Sequence, residues 1–246
     1  MEYVEILRAR RILTWYTGLI IAGLIITAVA WFFGHGHNRN EGTEAFSSLV
    51  GVASFAAIII ATLMVSGLSA ESAHTTPLIW TRPAPRDAIA WRYVAVDLVT
   101  IVIGYVVMIV AILVGLGIIG SLGAISFDPV LSLRAFALGL GGAAMWYAVV
   151  SVTAARLPGR GPLLAGLSWG LFPILTGLIG AHFPIWLHDV IVALNYANPV
   201  AWLGGMTVQS HGGFIPLSPW MRVAGEWLIA LAAVAASVRL WSTREV

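Results

Sequence analysis

The sequence has no cysteine and no lysine, and only 10% of its residues are charged. The first absence removes disulfide frameworks and thiolate sites. The second removes the phosphate-loop lysine and the Schiff-base lysine, so no G-x-x-x-x-G-K-[ST] nucleotide loop exists in the chain. The shortage of charge excludes a soluble domain, whose surface needs far more of it. What fills the 246 residues is apolar: 59% are hydrophobic, and the mean hydropathy is +0.92. All thirteen basic residues are arginine, and a net charge of +2 reflects membrane topology rather than a nucleic-acid partner.

A membrane-crossing helix needs about 20 mainly apolar residues. Six stretches qualify, approximately Ile12–Phe33, Phe46–Leu68, Val94–Ile119, Leu131–Ala154, Leu163–Ala181 and Trp220–Leu240. They predict an all-α integral membrane protein, a six-helix transmembrane bundle forming one domain over 1–246, with no room for an enzymatic domain besides. Asp128-Pro129 and Ser218-Pro219 each place an N-cap residue before a proline at the first helical position. Gly34, Gly36 and Asn38 close the first span, and Gly161-Pro162 opens the fifth. Tryptophans such as Trp15, Trp31, Trp91, Trp220 and Trp241 sit towards span ends, where interfacial belts form.

Arginine placement sets the orientation. Arg8, Arg10, Arg11, Arg82, Arg86, Arg92, Arg156, Arg160, Arg239 and Arg244 fall on one side of a six-span layout, leaving Arg39, Arg134 and Arg222 for the other. The positive-inside rule then puts both termini in the cytoplasm, for a multi-pass protein of the cytoplasmic membrane. Ala28-Val29-Ala30 resembles a signal-peptide cleavage site, but the apolar run continues through Trp31, Phe32 and Phe33 and predicts an uncleaved span.

Two segments depart from simple hairpins. Residues 1–11 mix Tyr3, Val4, Ile6 and Leu7 with Glu2, Glu5, Arg8 and Arg10, predicting an amphipathic elbow helix in the headgroup plane. The outer connection from His182 to Pro219 holds apolar pieces too short to cross, broken by prolines and glycines. It predicts a re-entrant or interfacial segment between spans five and six.

The largest inner loop, residues 69–93, carries a specific pattern. Glu71 closes the second span, Thr81-Arg82-Pro83 follows a short mixed segment, and Arg86 and Arg92 precede the third span. This arrangement resembles the first cytoplasmic loop of type 2 ATP-binding-cassette exporter permeases. The six-span layout, the elbow and the re-entrant segment are similar to that family too, as is the outer Asn198-Pro199 pair. Trp91-Arg92 departs from the Gly-Lys pair of many relatives. The resemblance implies a permease subunit that moves an amphiphilic or hydrophobic cargo (a lipid, peptide antibiotic or drug). It also implies a separate ATPase subunit, two copies per complex, and a permease pair made as a homodimer or with a related second chain. Glu71, Arg82, Pro83, Arg86, Asp87 and Arg92 would then form the ATPase-coupling loop. A short amphipathic helix there could seat in a groove of a soluble partner, with Arg82, Arg86 and Asp87 at its rim and Pro83 and Pro85 stiffening the turn. The other reading of the same arginines is an anchor at anionic lipid headgroups.

Other constellations carry alternatives. Gly166-Leu167-Ser168-Trp169-Gly170 matches G-x-S-x-G, the basis of a rival reading as a non-ABC membrane enzyme or accessory protein. That motif needs a strand-to-helix turn, whereas this copy lies in an apolar helix and reads as a GxxxG packing face. His35, His37, His182, His188 and His211 fall on the outer side near Glu41, Glu44 and Asp189, but no spacing makes them converge on a metal. They read as wetted loop residues. No catalytic residue, metal set or cofactor is assigned. Asp97, and Arg222 with Glu226 four residues on, lie near span ends. They are either snorkelling interfacial groups or a gate lining a path. Pro173, with Gly170, Gly177 and Gly180, predicts a kinked fifth span that packs closely or lines a subunit interface.

Overall fold

The apolar stretches become helices, and the helices run past them. The computed structural model describes residues 2–33, 44–74, 85–120, 122–157, 159–203, 215 and 217–243. Six of its helices are long and apolar enough to cross a membrane. They are α1 (Glu2–Phe33), α2 (Phe46–His74), α3 (Arg86–Ile118), α4 (Pro129–Arg156), α5 (Gly161–Leu178) and α8 (Pro219–Ser242). Between the last two lie the shorter α6 (Ile185–Tyr196) and α7 (Pro199–Leu203). A parallel pairing of only two residues, β1 (Glu44–Ala45) with β2 (Ile125–Ser126), ties the chain before α2 to the chain before α4.

The sequence limits follow apolarity, and the structure follows hydrogen bonding. α3 starts at Arg86, directly after Pro85, and not near Val94. Its 33 residues span about 50 Å, against a hydrocarbon core of about 30 Å. Asp128 caps α4 as predicted, its Oδ1 accepting from Val130 N (2.9 Å) and Leu131 N (3.0 Å) with Pro129 next. Ser218 holds the corresponding place before α8 without a side-chain bond.

Two expectations need correction. The N-terminal stretch is not a separate elbow: Glu2–Phe33 is one uninterrupted helix, because nothing in residues 2–11 breaks the backbone ladder. Nor is Gly166/Gly170 a packing face within the chain. Both glycines are exposed, with no atom within 4 Å of where a Cβ would stand.

α4 is the centre of the bundle, with 72% of its most apolar window buried, whereas α1 has 6%. Lipid is as apolar as leucine, so small and polar residues decide which face of a span turns inward. α4 offers Gly139, Gly141, Gly142, Ala143, Ala144 and Ala148 to its neighbours α2, α5 and α8. Ser151 on α4 meets Ser237 on α8 at 2.6 Å, a contact of the kind worth about 0.6 kcal/mol on average in membranes. Trp146 of α4 packs tilted against Trp169 and edge-on against Phe172 of α5, at ring distances of 5.1 and 4.8 Å.

Gly161 brings α5 tightly against α2. Its N–H donates to Ser69 Oγ at 2.9 Å, and a Cβ built on it would stand 2.0 Å from Ser69 Cβ. Neither atom belongs to a flexible side-chain end, so the helices themselves must part. Gly161→Ala is expected to lower unfolding stability in mixed micelles by about 1–3 kcal/mol. Gly166→Ala, with open space around it, should leave the same SDS titration unchanged.

Candidate functional site

The polar groups that the spans bury gather at two depths. On the arginine-rich side, Asp97 of α3 is wholly buried and binds Arg8 of α1, Nη2 donating to Oδ1 at 2.5 Å. Its other oxygen accepts from the hydroxyl of Tyr147 on α4 at 2.9 Å. The Arg8 guanidinium lies 5.8 Å from the Tyr93 ring centre, one helical turn before Asp97. Its stem packs on α2, where a Cβ at Gly67 would meet Arg8 Cδ at 3.2 Å. One side chain therefore touches α2 and α3 while anchored in α1, and reaches α4 through Asp97. Glu5, one turn earlier on α1, is buried as well.

Helical periodicity explains why these groups converge. Glu5 and Arg8 fall on one face of α1, and Arg10 on another, which is exposed. Asp97 lies about 16 Å along α3 from Arg86, at ~1.5 Å per residue. It is wholly buried among the helices. An open apolar groove of about 920 Å³ runs between α1 and α3 beside this cluster. Leu13, Thr17, Ile21, Val99 and Ile103 line it, and Arg10 also contributes.

The loop residues are divided by the bounds of the structure. Glu71 belongs to α2 by its backbone. Arg82 and Pro83 lie outside the described residues. Arg86, Asp87 and Arg92 occupy the first two turns of α3, and all three are exposed.

Arg222 and Glu226 do not pair, despite their spacing. Arg222 Nε donates to the carbonyl of Leu217 at 3.0 Å. Glu226 turns inward and is wholly buried against α4, and neither carboxyl oxygen has a hydrogen-bond partner among the described residues. Glu226 is therefore a buried acid and not a snorkelling interfacial group.

The connection between α5 and α8 is clamped by two buried asparagines. Asn195 Nδ2 donates to the carbonyls of Leu175 (3.0 Å) and Ile191 (2.9 Å). Asn198 Nδ2 lies within reach of Phe172 O (2.8 Å), Thr176 Oγ1 (2.9 Å) and Asn195 Oδ1 (2.8 Å), while its Oδ1 accepts from Val200 N at 3.1 Å. Asn198 thereby caps α7, with Pro199 in the favoured first position. Trp202 completes the attachment: its Nε1 donates to Tyr196 O at 3.0 Å, and its ring fills the space over Gly225 of α8.

Pro173 lies on the exposed side of α5, in register with Gly166, Gly170 and Gly177. Ser168 is within the same helix, its Oγ donating to Leu164 O at 2.8 Å, so it lacks the strand-to-helix turn of a nucleophile elbow. His182 and His188 are described and His35, His37 and His211 are not. Among the described residues, no three His, Asp or Glu side chains are placed to hold a metal ion.

Sequence reasoning missed Arg8 and Tyr147 as partners of Asp97. Arg8 sits in a run of three arginines that reads as topology, and Tyr147 lies unmarked in an apolar span. The signal that could have found Arg8 is its three-residue spacing from Glu5. Comparison with family models, with curated proteins and with solved structures yields no match for this chain.

The buried ion pair makes a prediction about stability. Asp97→Ala leaves a guanidinium buried without its carboxylate, and is expected to cost about 3–5 kcal/mol in SDS-titrated unfolding. The double variant Arg8→Met, Asp97→Asn removes both charges and should recover most of that loss. Equal destabilisation by the single and double variants would show that packing, and not charge, holds these helices.

Proposed function

We propose that the chain is the transmembrane permease subunit of an ATP-driven exporter of the type 2 ATP-binding-cassette kind, moving an amphiphilic or hydrophobic cargo. The observation that carries this reading is the 69–93 pattern, in which Glu71, Thr81-Arg82-Pro83, Arg86 and Arg92 keep the order of that family's coupling loop. The chain has no phosphate-loop lysine, so a separate ATPase, two copies per complex, supplies the power. The mechanism is rigid-body rocking: closure of the ATPases pushes the loop, and the spans it joins transmit the push.

Several structural features support the reading. α3 continues without a break from Arg86 to Ile118, so a force on its exposed first turns travels along a stiff rod. The Arg8–Asp97–Tyr147 cluster would carry that movement to α1 and α4. The exposed Gly166, Gly170, Pro173 and Gly177 suit close approach of a second permease, either another copy or a related chain. The groove between α1 and α3 has the apolar lining an acyl chain requires.

In this arrangement both termini face the cytoplasm of a plasma membrane, as the arginine asymmetry favours. Residues 2–11 begin α1 on the cytoplasmic side, in place of a separate elbow. The α6–α7 segment dips into the outer leaflet and returns, since the 12 residues of α6 span only about 18 Å.

Gentle-detergent capture of the intact chain, with mass spectrometry of what accompanies it, tests the reading. An ATP-binding-cassette ATPase is expected in stoichiometric amount, with vanadate-sensitive turnover. Arg82→Glu should preserve membrane insertion yet lower ATPase recovery about tenfold, the equivalent of 1.4 kcal/mol of lost contact. Failure to recover such an ATPase with the wild-type chain would sink the exporter reading.

A further inference from the structure

Glu226 stands apart from the other acids of the bundle. It is wholly buried in α8, and neither of its carboxyl oxygens has a hydrogen-bond partner among the described residues. The side chain lies against bare backbone: a Cβ built on Gly141 of α4 would stand 2.6 Å from Oε2. Only a glycine leaves that volume to the carboxyl.

The surrounding groups are committed elsewhere. Trp227 Nε1, 3.0 Å from the same built Cβ, donates to Ala137 O at 3.1 Å. On α3, Tyr105 is within electrostatic reach of Glu226, and its hydroxyl lies 3.4 Å from Ser54 Oγ. Asp97, also on α3, is held by Arg8 and by Tyr147 of α4. Arg222, one turn earlier on α8, donates to Leu217 O. Arg134, on α4, makes no ion pair with Glu226, and α7 brings no ionisable side chain to the seam. An ionised carboxylate here would have neither counter-ion nor hydrogen-bond donor among the described residues, a state that burial in low dielectric makes prohibitive. Among the described residues no group of three His, Asp or Glu side chains forms at the site to hold a metal ion.

We propose that Glu226 is an intramembrane proton-binding site, its side chain a neutral carboxylic acid sealed between α8 and the bare backbone of α4 at Gly141. The balance of the site is simple. When α4 and α8 part and water enters, the carboxylic acid gives its proton to water, leaving carboxylate and hydronium. The seam closes again only after the carboxylate has taken a proton back. Opening of this seam and proton release are therefore linked, as any two events sharing one equilibrium are. The site needs no ATPase partner, so it stands or falls separately from the exporter reading.

Infrared spectroscopy of the full chain in lipid nanodiscs at neutral pH provides the test, comparing wild type with Glu226→Gln. The wild type should show the carbonyl stretch of a protonated carboxyl, and Glu226→Gln should lose that band while keeping the wild-type melting temperature. Carboxylate bands alone, or a protonated band that survives Glu226→Gln, would overturn the proposal. Should Glu226→Gln not fold, Gly141→Ala decides, because its methyl crowds Oε2 directly. A shifted band supports the assignment to Glu226, and an unmoved band overturns it.

Discussion

The contact between Arg8 and Asp97 is the constraint on which the arrangement of this bundle most depends. Six apolar helices in lipid gain little from burying apolar surface against one another, since the acyl chains receive that surface equally well. Something else must choose which faces meet. A guanidinium and a carboxylate inside the bundle make that choice, because any arrangement that separates them leaves two charges in a medium of low dielectric. α1 shows the consequence most clearly. Nearly all of its span faces outward, and its attachment rests on Arg8, on the Tyr16 hydroxyl donating to Gly104 O at 3.3 Å, and on a few contacts around them.

The same economy explains the glycines of α4 and the start of α5. At Gly139 a Cβ would stand 2.0 Å from Ser54 Oγ and 2.5 Å from the Tyr105 hydroxyl. At Gly141 it would meet the Glu226 carboxyl, and at Gly161 it would meet Ser69. In each place the missing side chain makes room for a polar one from a neighbouring helix. Small residues paired with buried polar side chains thus stand beside the bulky buried Leu138, Met145, Trp146 and Tyr147 of α4.

Much of this was legible in the sequence, but not evenly. Span number, the Asp128-Pro129 start of α4 and the Gly161-Pro162 start of α5 follow from apolar length and cap chemistry, which are local. Span ends were less legible. Between Arg86 and Tyr93 the helix carries polar residues through the interface, and hydropathy cannot tell such a turn from a loop. Long-range partners were hardest. Arg222 and Glu226 read alike from their place near a span end, whereas packing turns the acid towards α4 and the base towards Leu217 O. Asp97 stood out as an acid near a span, yet its cation lies in a cluster of arginines whose topological meaning hides an individual role. Asn198-Pro199 was noticed for its resemblance, while the work of Asn195 beside it shows only once α5 and α6 are side by side.

The asparagine clamp can form without α8. A chain made from its N-terminal end has every partner of Asn195 and Asn198 present before α8 is synthesised, because Phe172, Leu175, Thr176 and Ile191 all come earlier or lie alongside. The α6–α7 segment can therefore take its seat on α5 without waiting for α8. Trp202 is then already in place when Gly225 arrives, and the final span meets a finished mould instead of a loose strand.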